Sequence, residues 1–117
     1  MQTYLRQRKT RLSYIRLRWK AAHANMINSR GWKTRHKEFI QKYPRSELSG
    51  LRATIAHHLQ YFGDLNDDTL YGNEPDYFLM ALTWEEHKWA HQQPQTIWRS
   101  RTKLKETFIK KHNAKTT

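Results

Sequence analysis

Seven histidines in a chain of 117 residues raise metal chemistry first. His87 and His91 stand four apart, the spacing that puts two imidazoles on one face of a helix and that many two-histidine metal sites use. Spacing alone fixes no third ligand, although Glu86 and the adjacent His57 and His58 are available. The motif His-Glu-x-x-His is absent, and both histidines share a helical stripe with Trp84. The sequence therefore favours packed imidazoles, and no metal site and no cofactor are expected. Asp64, Asn66, Asp67 and Asp68 approach a calcium-binding loop. However, Thr69 stands where that loop requires Gly and Pro75 where it requires Glu. There is no Gly-rich phosphate loop and no nucleophile beside a base in a recognisable motif. Nothing in the sequence selects a nuclease constellation from the many Asp and His, and the chain is read as a non-enzyme.

The stronger signal is charge. Of the 22 Lys and Arg, 13 lie in residues 1–45 and seven in residues 98–117, whereas seven of the ten carboxylates lie in residues 64–86. The formal net charge is +12. On a helix Arg6, Lys9, Arg16 and Lys20 form one row, flanked by Arg11 and Arg18. No carboxylate precedes Glu38, so no intrahelical pair neutralises them. Arg99, Lys103 and Lys110 form a second basic face near the C-terminus. Such rows suit a phosphate backbone, where each neutralised phosphate releases condensed counterions. Tyr14 and Trp98 lie off the apolar stripes and are candidates for stacking on bases. The acidic segment reads as a solvated loop and helix start, as a surface for a basic partner, or as a head-to-tail contact with another copy.

Composition narrows the class. With no Cys there is no disulfide scaffold, thiolate metal site or Cys nucleophile. Mean hydropathy is −1.04, but 13% aromatic content argues for a folded core built largely from rings. No apolar run approaches the roughly 18 residues of a membrane span, and no secretory h-region follows the N-terminus. The acid-free, Arg-rich first 37 residues are like a mitochondrial presequence. They are poor in Ser, though, and carry Tyr4, Tyr14, Trp19 and Trp32. A cytoplasmic or nucleoid-associated protein with no membrane partner is expected.

Four Gly, three Pro and no β-branched run predict an all-α fold of about five helices in one domain, 1–117, with a frayed tail over 113–117. The first helix is expected over 3–28 and closes at Ser29, Arg30 and a left-handed Gly31. The second spans 32–43 and ends at Pro44. A third, over 46–62, carries Leu48, Leu51, Ile55, Leu59 and Phe62 as the cleanest apolar stripe and is expected at the centre, capped by Ser46. Further helices are expected over 75–82 and 84–92, split by a Thr83/Glu86 capping box, and over 96–112. Residues 32–62 have the coarse layout of a helix-turn-helix, but only Arg52 is basic on the exposed side of 46–62.

These features predict a non-catalytic nucleic-acid-binding protein, for DNA or RNA, that grips the backbone through basic helical faces. The alternative is a phage-type inhibitor or adaptor that binds a nucleic-acid-processing enzyme. In size, helicity and charge the chain is similar to the small helical subunits that line the guide–target channel of CRISPR effector complexes. That resemblance implies one of several copies on a strand, within a larger protein complex.

Overall fold

A computed structural model describes residues 16–116, with side chains through residue 113. Its elements in chain order are α1 (16–27), α2 (Arg30–Lys42), β1 (Ile55–His58), β2 (Leu79–Leu82), α3 (Trp84–His91), α4 (Gln95–Trp98) and α5 (Arg101–Thr116). Two 3-10 turns, Asp68–Leu70 and Asp76–Phe78, lie in the long connection between the strands.

The chain is mostly helical but not all-α. At its centre β1 and β2 pair antiparallel, with Ile55 opposite Leu82, Ala56 opposite Ala81, His57 opposite Met80 and His58 opposite Leu79. The two-residue alternation of β2 sorts the core into two layers. Leu79 and Ala81 pack with Met26, Trp32, Phe39, Ala53 and Ala56 on the α1–α2 side. Met80 and Leu82 pack with Leu59, Ala90 and Leu104 on the α3–α5 side.

The helix expected over 46–62 does not form. Gly50 takes φ +77°, outside the helical region, and the next turn folds back instead. Ser46 N–H donates to Leu51 O (2.7 Å), Ala53 N–H to Pro44 O (2.8 Å), and Arg45 bridges Arg52. Ser46 caps no helix. Its hydroxyl accepts from the backbone N–H groups of Leu48 and Ser49 and donates to Glu86 Oε1 (2.5 Å). Leu51, placed on the central stripe by its spacing, is 62% exposed, whereas Leu59 is buried. The helical spacing of those leucines was coincidental. Thr54 and Ile55 are β-branched, and the pairing partner that selects a strand there, Leu82, lies far along the chain in β2.

The helix expected over 75–82 is likewise replaced by a 3-10 turn and β2. Leu79, Met80, Ala81 and Leu82 are all buried, and a short apolar run of this kind suits a strand covered on both faces. The Thr83/Glu86 capping box forms as expected. Thr83 Oγ1 accepts from Glu86 N–H (3.1 Å), and Glu86 Oε1 accepts from Thr83 N–H (2.8 Å). The C-terminal helix breaks at Arg99 and Ser100 into α4 and α5, and α5 runs on to Thr116 across most of the tail expected to fray.

Gly31 is not a left-handed cap. It lies in the first turn of α2, whose N-cap is Ser29, with Ser29 Oγ accepting from Trp32 N–H (3.1 Å). Its missing side chain allows backbone contact, since a Cβ at Gly31 would meet Tyr71 O at 2.6 Å. Gly72, at φ +86°, crosses on the other side against the Gly31 carbonyl. This crossing ties α2 to the loop that carries Glu74 and Asp76.

Candidate metal centre

β1 and α3 bring three histidines together. One ligand nitrogen from each of His57, His87 and His91 lies within 4.8 Å of the others. The sequence already places His87 and His91 on one face of α3. It does not show that β1 runs beside α3 and turns His57 toward it, so the third ligand went unassigned. Glu86, the other local candidate, is spent elsewhere, since its carboxylate caps α3 and accepts from Ser46.

The tautomer of His57 follows from its partner. Its Nε2 lies 2.8 Å from Trp98 O, and a carbonyl only accepts, so Nε2 carries the proton. Nδ1 is then a bare lone pair, and it is buried with no hydrogen-bond partner in the protein. A carbonyl that fixes the tautomer and orientation of an imidazole while its other nitrogen points inward is the usual support of a metal-ligating histidine. The Nε2 atoms of His87 and His91 lie 3.0 Å apart. Two nitrogens about 2.1 Å from a common ion in tetrahedral geometry sit about 3.4 Å apart, so this pair needs little adjustment. The wider 4.8 Å spread of the three closes with side-chain movement on the order of 1 Å.

Electrostatics favours the neutral, ligating form. Burial lowers the pKa of His57 from 6.5 to about 4, against the opposing pull of the Trp98 carbonyl. Burial and then the neighbouring His91 lower His87 to about 4. His91, more open, is lowered by burial alone. The residues present thus fit a divalent late first-row cation, for which three imidazoles leave at least one coordination position open. The expectation of packed imidazoles does not account for the partnerless His57 Nδ1.

The cluster opens into a cavity of about 730 Å³. His87 and His91 line it, along with His58, the neighbour of His57 on the opposite face of β1. The His58 ring lies between Trp32 (centroids 4.3 Å apart) and Tyr61 (4.7 Å, stacked). Its Nε2 is buried without a hydrogen bond and faces Glu74 Oε1 at 3.8 Å. Burial alone would raise the Glu74 carboxyl, but the nearby His58 imidazole, with backbone groups of Glu74 and Gly72, holds it below its ordinary value. The Glu74 backbone is clamped in turn. Its carbonyl accepts from Arg35 Nε (3.0 Å) and Nη2 (2.8 Å), and Arg35 pairs with Asp76 Oδ1 at 2.5 Å. Lys42 and Tyr43 hold the other oxygen, Asp76 Oδ2, at 2.6 and 2.9 Å. Lys42, then Arg35, keep the Asp76 carboxyl far below the ordinary range. Two more histidines line the cavity, each with a nitrogen engaged: His36 Nε2 accepts from Ala56 N–H (3.2 Å), and His23 Nε2 lies 3.2 Å from Tyr61 Oη.

The residues picked for nucleic-acid contact scatter around this cavity. Arg6, Lys9, Arg11 and Tyr14 lie outside the described residues. Arg16, Arg18 and Lys20 are exposed on α1, one of whose residues, Trp19, lines the cavity wall. Arg99 is exposed and lines the cavity, as does Trp98, whose ring is 5.3 Å from that of His91. Lys103 and Lys110 are exposed on α5 and are not part of the lining.

Among the described residues no helix is long and apolar enough to cross a membrane. No protein-family model matches the chain, and neither a curated protein nor a solved structure has significant similarity to it. The likeness to small CRISPR effector subunits rested partly on an all-helical chain, and the central hairpin removes that support.

Proposed function

We propose that the protein is a metal-dependent nuclease that hydrolyses phosphodiester bonds in a nucleic acid. The observation that carries this reading is the clustering of His57, which has a buried, partnerless Nδ1, with the His87–His91 pair, where those two line a cavity on a chain of charge +12. The charge supports the same polymer as the sequence does. The cluster adds chemistry to the grip.

Each residue then has a role. His57, His87 and His91 hold the cation, which supplies Lewis acidity for charge that develops on phosphate oxygens. The carboxylate of Glu74 favours the His58 tautomer protonated at Nε2, which leaves Nδ1 to accept the proton of an attacking water. Water adds at phosphorus, the bond to the leaving ribose oxygen breaks, and that oxygen leaves with a proton from solvent. Arg99 at the cavity wall pairs with phosphate, and the basic face of α1 tracks the strand.

The test is cleavage of labelled single-stranded DNA, duplex DNA and RNA with Mg²⁺, Mn²⁺, Ni²⁺, Co²⁺ or Zn²⁺, against an EDTA control. Cleavage that needs metal and vanishes in His57→Ala and His87→Ala supports the proposal. A salt-dependent gel shift with no cleavage under any metal, and no metal uptake by calorimetry, returns the protein to the non-catalytic binder expected from charge. A tight protein partner with neither cleavage nor gel shift favours the inhibitor or adaptor.

A further inference from the structure

The walls of the cavity say more about the substrate than its floor does. Trp19 and Trp84 are 49% and 51% exposed, although indoles are among the most costly side chains to leave in water. Both line the cavity, as do Trp98, Tyr61 and Arg99. Its volume of about 730 Å³ falls within the roughly 300–1,000 Å³ of sites for compact organic ligands. A solvated surface has no reason to gather exposed indoles around one concavity. A site for a flat aromatic ligand does.

We propose that this cavity receives an unpaired nucleobase, so that the substrate is a single-stranded segment or a base displaced from its helix rather than intact duplex. The proposal rests on the nuclease reading for its connection to chemistry, but the binding it describes does not require turnover. In a duplex every base face is covered by its neighbours, and only base edges and phosphates reach a protein. An indole face can engage a base only when that base is unpaired, and stacking of this kind is what holds single strands on aromatic platforms. The charge of the setting fits a nucleotide, since Arg99 is in the wall and Lys20 is exposed next to Trp19 on α1. The position fits as well. Trp84 packs 5.9 Å from the His87 ring and Trp98 5.3 Å from the His91 ring, so a base stacked there sits about one sugar away from a cation on those histidines.

The experiment measures equilibrium binding in EDTA, where no cleavage competes, at one fixed salt concentration. The probes are a 16-mer DNA of mixed sequence, its blunt duplex, and the same duplex with one unpaired bulge, followed by fluorescence anisotropy and by quenching of intrinsic tryptophan emission. The single strand and the bulged duplex are expected to bind about ten-fold or more tighter than the blunt duplex and to quench the emission. Trp19→Ala and Trp84→Ala should each lose about ten-fold on the single strand, within the range stacking contributes, and leave the blunt duplex unchanged. Trp84→Phe, which keeps a ring, should retain most of the affinity, and unchanged far-UV CD checks the fold of each variant. Equal affinity for single strand and blunt duplex overturns the proposal, as does equal weakening of both by the alanine variants. Selective binding without cleavage when metal is restored would sink the nuclease reading and leave this one standing. Metal-dependent cleavage of both forms at equal rates would do the reverse.

Discussion

Acid should unfold the metal-free protein in a window where ordinary carboxylates are still charged. Burial lowers the pKa of His57 from 6.5 to about 4. The unfolded chain therefore takes up a proton below pH 6.5 that the native state refuses until about pH 4. The stability contributed by neutral His57 is complete above pH 6.5 and is lost progressively as pH falls toward 4. At pH 5 the gap is about 1.5 pH units, or about 2 kcal/mol for this residue alone. His87 is shifted in the same direction, again mainly by burial, but it is only half-buried, so solvent screening reduces its share. His23, His36 and His91 also move downward, each chiefly through burial. The carboxyls of Glu74, Asp76 and Glu86 are held below their usual values, so they stay ionised at pH 5. The assay is a series of thermal melts by CD between pH 7.5 and 5 in EDTA. At roughly 4 °C per kcal/mol for a domain of this size, the midpoint should fall by about 8 °C or more. Zn²⁺ at about a thousand times its dissociation constant should raise stability by about 4 kcal/mol at pH 7.5, and much less at pH 5, where protons compete for the same nitrogens. A midpoint that does not change between pH 7.5 and 5 in EDTA would refute the buried neutral imidazoles on which the site depends.

Leu82→Ala removes a fully buried side chain from the α3–α5 layer and should cost about 2–5 kcal/mol in denaturant unfolding, whereas Leu51→Ala, at an exposed position, should change stability by less than about 0.5 kcal/mol. Gly72→Ala should destabilise by about 1–3 kcal/mol, because it combines a φ of +86° with a Cβ driven into the Gly31 backbone, and thermal melts would show it. Nucleic-acid affinity should fall with salt at a log–log slope of about −4 to −7, as expected if about five to eight phosphates are neutralised. Reversing Arg16 and Lys20 to Glu should flatten that slope without loss of helical CD, and an unchanged slope would move the backbone contacts elsewhere.

What the sequence revealed depended on how far apart the interacting residues lie. α2, the Thr83/Glu86 box and the pairing of His87 with His91 on one face are local, set within one or two turns, and were legible. The strands were not. Residues 46–62 carry a helical apolar pattern, and only the distant Leu79–Leu82 segment reveals that Ile55–His58 pairs as β1. The third histidine of the cluster was hidden for the same reason, because His57 reaches α3 through a sheet that local periodicity could not supply. The adjacent His57 and His58 were themselves a signal. In a strand, neighbours face opposite ways, so two consecutive histidines can serve two different sites. Gly31 was misread because close backbone approach and left-handed geometry both select glycine, and the sequence does not distinguish them.

The hairpin also makes strand register a determinant of chemistry. Because Leu79–Leu82 is buried on both faces, no contrast of polar and apolar faces prevents it from slipping against β1. Size does that work. Ala81 meets Ala56 on the layer crowded by Trp32 and Phe39, and the bulkier Met80 and Leu82 fill the roomier layer beneath α3. Were β1 to take up a slip of one residue, His57 would turn away from α3 and His58 would stand in its place. The Trp98 carbonyl and the Glu74 carboxylate would then each face the wrong imidazole. In the proposed reading, packing complementarity in four apolar residues of β2 would thereby decide which of two neighbouring histidines faces the metal site and which the substrate.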